Sequence, residues 1–80
     1  MENTSEISIE MGNDSFLLRY APRTERTIYD ICDLNGRVIK TGVISESETC
    51  IDASDLFRKK YIVLIVDGDQ MFSKPLIIAA

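Results

Sequence analysis

The sequence of eighty residues is 45% hydrophobic and 28% charged, carries a net charge of −4 and contains no histidine. That length supports one domain, residues 1–80, burying roughly 60% of the surface of its unfolded chain, and no apolar run approaches the ~20 residues of a membrane-spanning helix. Glu2, Glu6, Glu10 and Asp14 put four negative charges and no positive ones in the first fourteen residues, and the remainder balances nine acids against nine bases, a distribution without the basic patch that a nucleic-acid partner requires.

Apolar residues recur with period two or in short continuous runs rich in Ile, Val, Tyr and Phe, broken by turn residues every eight to twelve positions. That spacing predicts an all-β fold, an immunoglobulin-like Greek-key β-sandwich of about seven short strands. Ile7, Ile9 and Met11 alternate with polar residues and predict a first strand ending at Gly12-Asn13-Asp14. Phe16 to Tyr20 predicts a second, stopped by Ala21-Pro22 because proline has no N–H to donate. Thr27 to Asp33 and Val38 to Ile44 predict a third and fourth strand joined through Asn35-Gly36, a strong short-range hairpin signal. A two-residue loop there sets Ile31 opposite Lys40, whereas a three-residue loop with Gly36 left-handed sets Ile31 opposite Ile39. Pairing two isoleucines buries more apolar surface and favours the three-residue loop.

Glu48 to Asp52 predicts a short fifth strand. In the following connection Asp52 or Ser54 can cap one helical turn, with Leu56 and Phe57 pinning it to the core. Tyr61 to Val66 is apolar at every position and predicts a central sixth strand. Its leading Tyr61 suits a tyrosine corner, the hydroxyl bonding back to the Asp52–Lys60 connection. Asp67-Gly68-Asp69 predicts a tight hairpin; its two carboxylates could face a cation, but acidic residues in turns ordinarily serve the turn itself. Met71 to Ile78 predicts a seventh strand that Pro75 confines to an edge or bulge.

Little in this inventory supports catalysis. Without histidine the usual general base and zinc ligand are absent, the glycines are scattered singly, and no nucleophile has a base beside it. No cofactor and no metal site are expected. Cys32 and Cys50 both fall in strand-like runs; they bridge only if those strands lie close together, and otherwise stay as two buried thiols. Met1 to Glu6 is acidic and polar, unlike a secretory signal. Either the protein is cytosolic or its signal precedes the sequence given.

The segment Tyr29 to Gly42, the connection Cys50 to Leu56, the run Tyr61 to Gly68 and the closing Phe72 to Ile78 together resemble the C-terminal sorting domains of type IX secretion cargo in Bacteroidetes. They resemble equally a group of small secreted immunoglobulin-like domains of unknown function from that phylum. The shared pattern here is Asp33 and Gly36, then Ile51, Asp52, Ser54 and Leu56, then Tyr61, and finally Lys74, with Asn35 and Gly68 as further structural residues of the turns. The chain departs from it where Arg58-Lys59-Lys60 replaces a glycine before the tyrosine, and where Gly12-Asn13-Asp14 replaces an early Asn-Pro. The resemblance implies a secreted, cell-surface or periplasmic location. It also implies recognition by outer-membrane secretion machinery through Lys74, Pro75, Leu76, Ile77 and Ile78. The alternative is a stand-alone secreted module that binds a protein or glycan. One further expectation comes from the residues alone. If Tyr61, Val63 and Ile65 face the core, then Ile62, Leu64 and Val66 face away from it and form either a covered layer or an interface, with weak self-association as one outcome.

Overall fold

A computed structural model describes residues 7–78 and contains seven strands. They are β1 Ser8–Met11, β2 Ser15–Arg19, β3 Thr27–Cys32, β4 Val38–Val43, β5 Glu48–Asp52, β6 Lys60–Asp67 and β7 Gln70–Ile77. Each predicted strand is present within a few residues of its expected ends. All pairings are antiparallel and form two sheets, one in the order β1-β2-β5 and the other β4-β3-β6-β7. No helix among the described residues is long and apolar enough to cross a membrane.

The period-two pattern explains how the sheets meet. Phe16, Leu18 and Ile51 from the first sheet, and Ile31, Tyr61, Val63, Ile65 and Leu76 from the second, belong to one buried cluster. Fully burying a side chain of this size contributes about 1.5–3 kcal/mol, so this shared core is the main term holding the sheets together. On β6 the inward set is Tyr61, Val63 and Ile65, as alternation requires.

The β3–β4 hairpin shows where sequence reasoning succeeds and where it stops. The three-residue loop is present: Asp33 and Arg37 close it (Asp33 N to Arg37 O, 3.0 Å), Gly36 N donates to Asp33 O at 3.0 Å, and Gly36 has φ 87°. Asp33 Oδ1 accepts the backbone N–H groups of Asn35 and Arg37, both at 2.9 Å. The Arg37 bond is the larger influence holding this carboxyl below its ordinary range. The expected register is nevertheless wrong. Cys32 pairs with Val38 and Ile31 with Lys40, so Ile39 is an extra residue in a β-bulge and stays exposed. Lys40, brought opposite Ile31, is half-buried and reaches Asp55 at 3.1 Å. On the same strand Gly42 lies directly under the Tyr29 ring, which a Cβ there would approach to 2.5 Å.

The connection after β5 is a turn, not a helical one. Leu56 N donates to Ala53 O at 3.1 Å, and Asp52 Oδ1 accepts from Ser54 N at 3.1 Å. Leu56 is buried as expected, but Phe57 is 77% exposed and pins nothing to the core. With only one bonded turn, adjacent residues leave on opposite sides. Tyr61 behaves as the corner residue: it is 1% exposed and its hydroxyl donates to Phe57 O at 3.2 Å. At the other end of β6, the β6–β7 hairpin has a two-residue loop in which Gly68 takes φ 62°, positive at the first loop position as the type II′ turn demands.

Asp67 is not a turn carboxylate. It continues the inward series of Tyr61, Val63 and Ile65 and is 3% exposed. Its Oδ2 accepts from the Tyr20 hydroxyl at 2.6 Å and Arg23 N at 2.9 Å. Its Oδ1 accepts from Thr24 N at 3.0 Å, the Thr24 hydroxyl at 2.7 Å and the Thr27 hydroxyl at 2.9 Å. Burial by itself opposes the charge, but the hydrogen bonds from Tyr20, Arg23, Thr24 and Thr27 outweigh it and hold the carboxyl well below the usual carboxylate range. The site therefore ties the β2–β3 crossover to the end of β6, and the expectation that the Asp67 carboxylate serves its own turn is overturned.

Two predictions follow from these anchors. A carboxyl with a depressed folded pKa stabilises fully above its unfolded value of about 3.9 and progressively less as pH falls toward the folded one. Urea denaturation should therefore show wild-type stability falling from about pH 5 downward. Asp67→Asn should lower stability at pH 7 by about 3 kcal/mol, since it replaces an ionic acceptor in a set of donors. It should also reduce the loss between pH 7 and pH 3; an unchanged loss would show that another carboxyl carries the acid sensitivity. Tyr61→Phe should cost about 1 kcal/mol, the net worth of one hydrogen bond, read as a shift in urea midpoint with the slope unchanged.

Candidate functional site

The outer faces of the two sheets differ sharply in chemistry, and the pairing register shows why. Directly paired residues of antiparallel strands project to the same side. On the first sheet the outward residues include Ser8, Glu10, Arg19 and Glu48, and Arg19 bonds to Glu10 at 2.9 Å and to Glu48 at 3.3 Å. This is a solvated charged face of the usual kind.

The second sheet presents three rows on its outer side. One row runs Val43, Ile28, Val66, Met71 across β4, β3, β6 and β7. The next runs Thr41, Asp30, Leu64, Ser73, and the third Val38, Cys32, Ile62, Pro75. Lys60 and Ile77 extend the face at one end. Val43 is 69% exposed, Met71 64% and Ile77 61%, with Ile28 and Val38 also exposed. Ile62, Leu64 and Val66 are half-buried. They are neither sealed by the rest of the chain nor isolated, because exposed apolar side chains flank them on three other strands. Two apolar rows joined through Leu64 make a surface of the kind that marks interaction sites, which singly scattered apolar residues do not.

The closing strand divides by the same parity. Leu76 and Ile78 are buried in the core and are out of reach of any partner. Lys74 pairs with Val63 on the inward side at the sheet edge and is half-buried. Pro75 and Ile77 lie outward, on the same face as Ile62, Leu64 and Val66. Two expectations formed separately, a recognition segment and an interface strand, thus meet on one surface. The motif residues Asp33, Asn35, Gly36, Asp52, Ser54, Leu56, Tyr61 and Gly68 are elsewhere, in the loops and the tyrosine corner described above. The acidic residues Glu2 and Glu6 lie outside the described residues, while Glu10 belongs to the ion-paired face of the first sheet.

Both cysteines are free thiols. Cys50 pairs with Leu17 on the outer face of the first sheet, and Cys32 pairs with Ile62 on the outer face of the second. They project away from each other on opposite sides of the core, which rules out a bridge within the chain. Cys32 is buried although it faces outward, and Cys50 is exposed. Burial, reinforced by the charges of Asp30 and Asp33, pushes the Cys32 thiol up. Among the described residues no three His, Cys, Asp or Glu side chains gather as a metal site would require.

No protein-family model matches the chain, and no curated protein matches it either.

The thiols provide a readout of the outer face. At pH 7.5 Cys50 should react with a maleimide at least about tenfold faster than Cys32, because Cys50 is exposed whereas burial both shields the Cys32 thiol and raises its pKa. Mass spectrometry of peptides after brief labelling measures both rates; equal rates would mean that the apolar layer around Cys32 opens freely.

Proposed function

We propose that this chain is an immunoglobulin-like Greek-key β-sandwich acting as a non-catalytic interaction module, secreted or displayed at the cell surface, that binds another protein across the outer face of the β4-β3-β6-β7 sheet. The observation that carries this reading is the contrast between faces: one outer face is charged and ion-paired, the other largely apolar and open. The strand order supports the topology, since β2 pairs with β5 within one sheet and β3 with β6 within the other, so consecutive strands β2 and β3, and β5 and β6, change sheets as in Greek-key sandwiches.

The type IX sorting reading gives this module a definite partner, the outer-membrane secretion machinery. One observation favours it as a specific form of the proposal: Pro75 and Ile77, in the segment where the resemblance places recognition, contribute to the apolar face itself.

The test is a fusion of the chain behind a periplasmic reporter in a bacterium that has type IX machinery. Surface display of the wild-type fusion is expected, together with periplasmic retention of a Leu64→Asp fusion whose isolated domain still unfolds cooperatively. Periplasmic retention of both rejects the sorting reading. Surface display of both rejects the outer face as the contact.

A further inference from the structure

Resting on the interaction-module reading, one feature of the apolar face identifies the chemistry of its partner. Asp30 sits in the middle row, with apolar rows on either side along the strand direction. It is half-buried, and no hydrogen bond or ion pair from any described residue reaches its carboxylate. The basic residue on that face, Lys60, lies four positions along β6 from Leu64, the residue paired with Asp30, which at strand rise is about 14 Å. Any surface that covers the apolar rows must also strip water from this carboxylate, and that is unfavourable unless donors arrive with it, of which a cation is the strongest single one.

A second copy of the chain offers on this face only Lys60, which sits at the end of the face and not among its apolar rows. A two-fold pairing of the face would set two Asp30 carboxylates in the same dry layer, and each chain already carries a net charge of −4. Like charges juxtaposed in this way oppose association. We infer that the face receives a different protein, whose contact surface sets one Arg or Lys among apolar side chains, with that cation bonding to Asp30. A guanidinium suits the position better than an ammonium, because its planar fork meets a carboxylate with two parallel bonds.

Peptides selected from a random phage-displayed library on the immobilised chain provide the probes. Their affinities are then measured by fluorescence anisotropy for wild type, Asp30→Asn and Leu64→Asp. Met71→Asp, at a more exposed position on the same face, replaces Leu64→Asp if circular dichroism shows that variant unfolded. Binders that depend on the face should carry an Arg or Lys flanked by apolar residues and should weaken at least about tenfold on Asp30→Asn. Replacing that basic residue by Met should weaken binding to wild type by a similar factor, yet change little on Asp30→Asn. Face-dependent binders indifferent to Asp30→Asn overturn the cation requirement and leave the interaction module standing. The absence of any binder sensitive to the face substitutions overturns both. Dimerisation of the wild type that Leu64→Asp abolishes and Asp30→Asn strengthens makes a second copy the occupant and overturns the inference.

Discussion

The carboxylate of Asp67 joins parts of the chain that strand pairing alone leaves apart. Tyr20 follows the last residue of β2 in one sheet, Arg23, Thr24 and Thr27 carry the chain across, and Asp67 ends β6 in the other sheet. Side-chain hydroxyls and backbone N–H groups converge on its two oxygens, so a crossover without regular structure gains the satisfied polar groups that a buried loop needs. The same carboxylate would be among the most damaging groups in the core without its donors, because an unpaired buried charge costs several kcal/mol. The geometry of one end of the molecule depends on all the donors being present together. Tyr61 and the Phe57 carbonyl perform a smaller version of this task near the start of β6.

With β6 fixed at both ends, its alternation imposes the character of both faces of its sheet. The inward residues complete the shared core, and the outward residues cannot follow them there. β3, β4 and β7 add apolar side chains on the outward side, where the first sheet places an Arg19 ladder between two glutamates. A small two-sheet protein has one interior. Apolar residues that exceed what it can hold stay at the surface unless another molecule covers them.

Much of this was legible in the sequence, for physical reasons that differ by element. The strands were readable because alternation and turn residues are local signals, and Tyr61 because its place at the head of an apolar run defines both its burial and its bond. The pairing of Ile31 was not readable. The loop set by Asp33 and Gly36 has the expected length, but the bulge at Ile39 shifts everything beyond it, and no local residue preference announces that insertion. Asp67 was misread for the opposite reason: its turn-like neighbours Gly68 and Asp69 suggested solvent, although continuing the count from Tyr61, Val63 and Ile65 places it inside. Phe57 shows that an apolar side chain does not specify burial when the turn carrying it points outward. The surplus on β6 could be counted from sequence, but the breadth of the face depends on the register across four strands and emerges only from the fold.

The bulge that displaced Ile39 has a consequence for assembly. β4 and β7 form the two rims of the sheet that carries the apolar face. A straight rim of unpaired N–H and C=O groups beside exposed valine and isoleucine is a template on which further chains can stack strand upon strand. Here one rim is kinked by the extra residue, and the other loses a donor at Pro75. Lateral growth of this sheet toward fibrils is thereby discouraged at its rims, while its broad apolar side stays open.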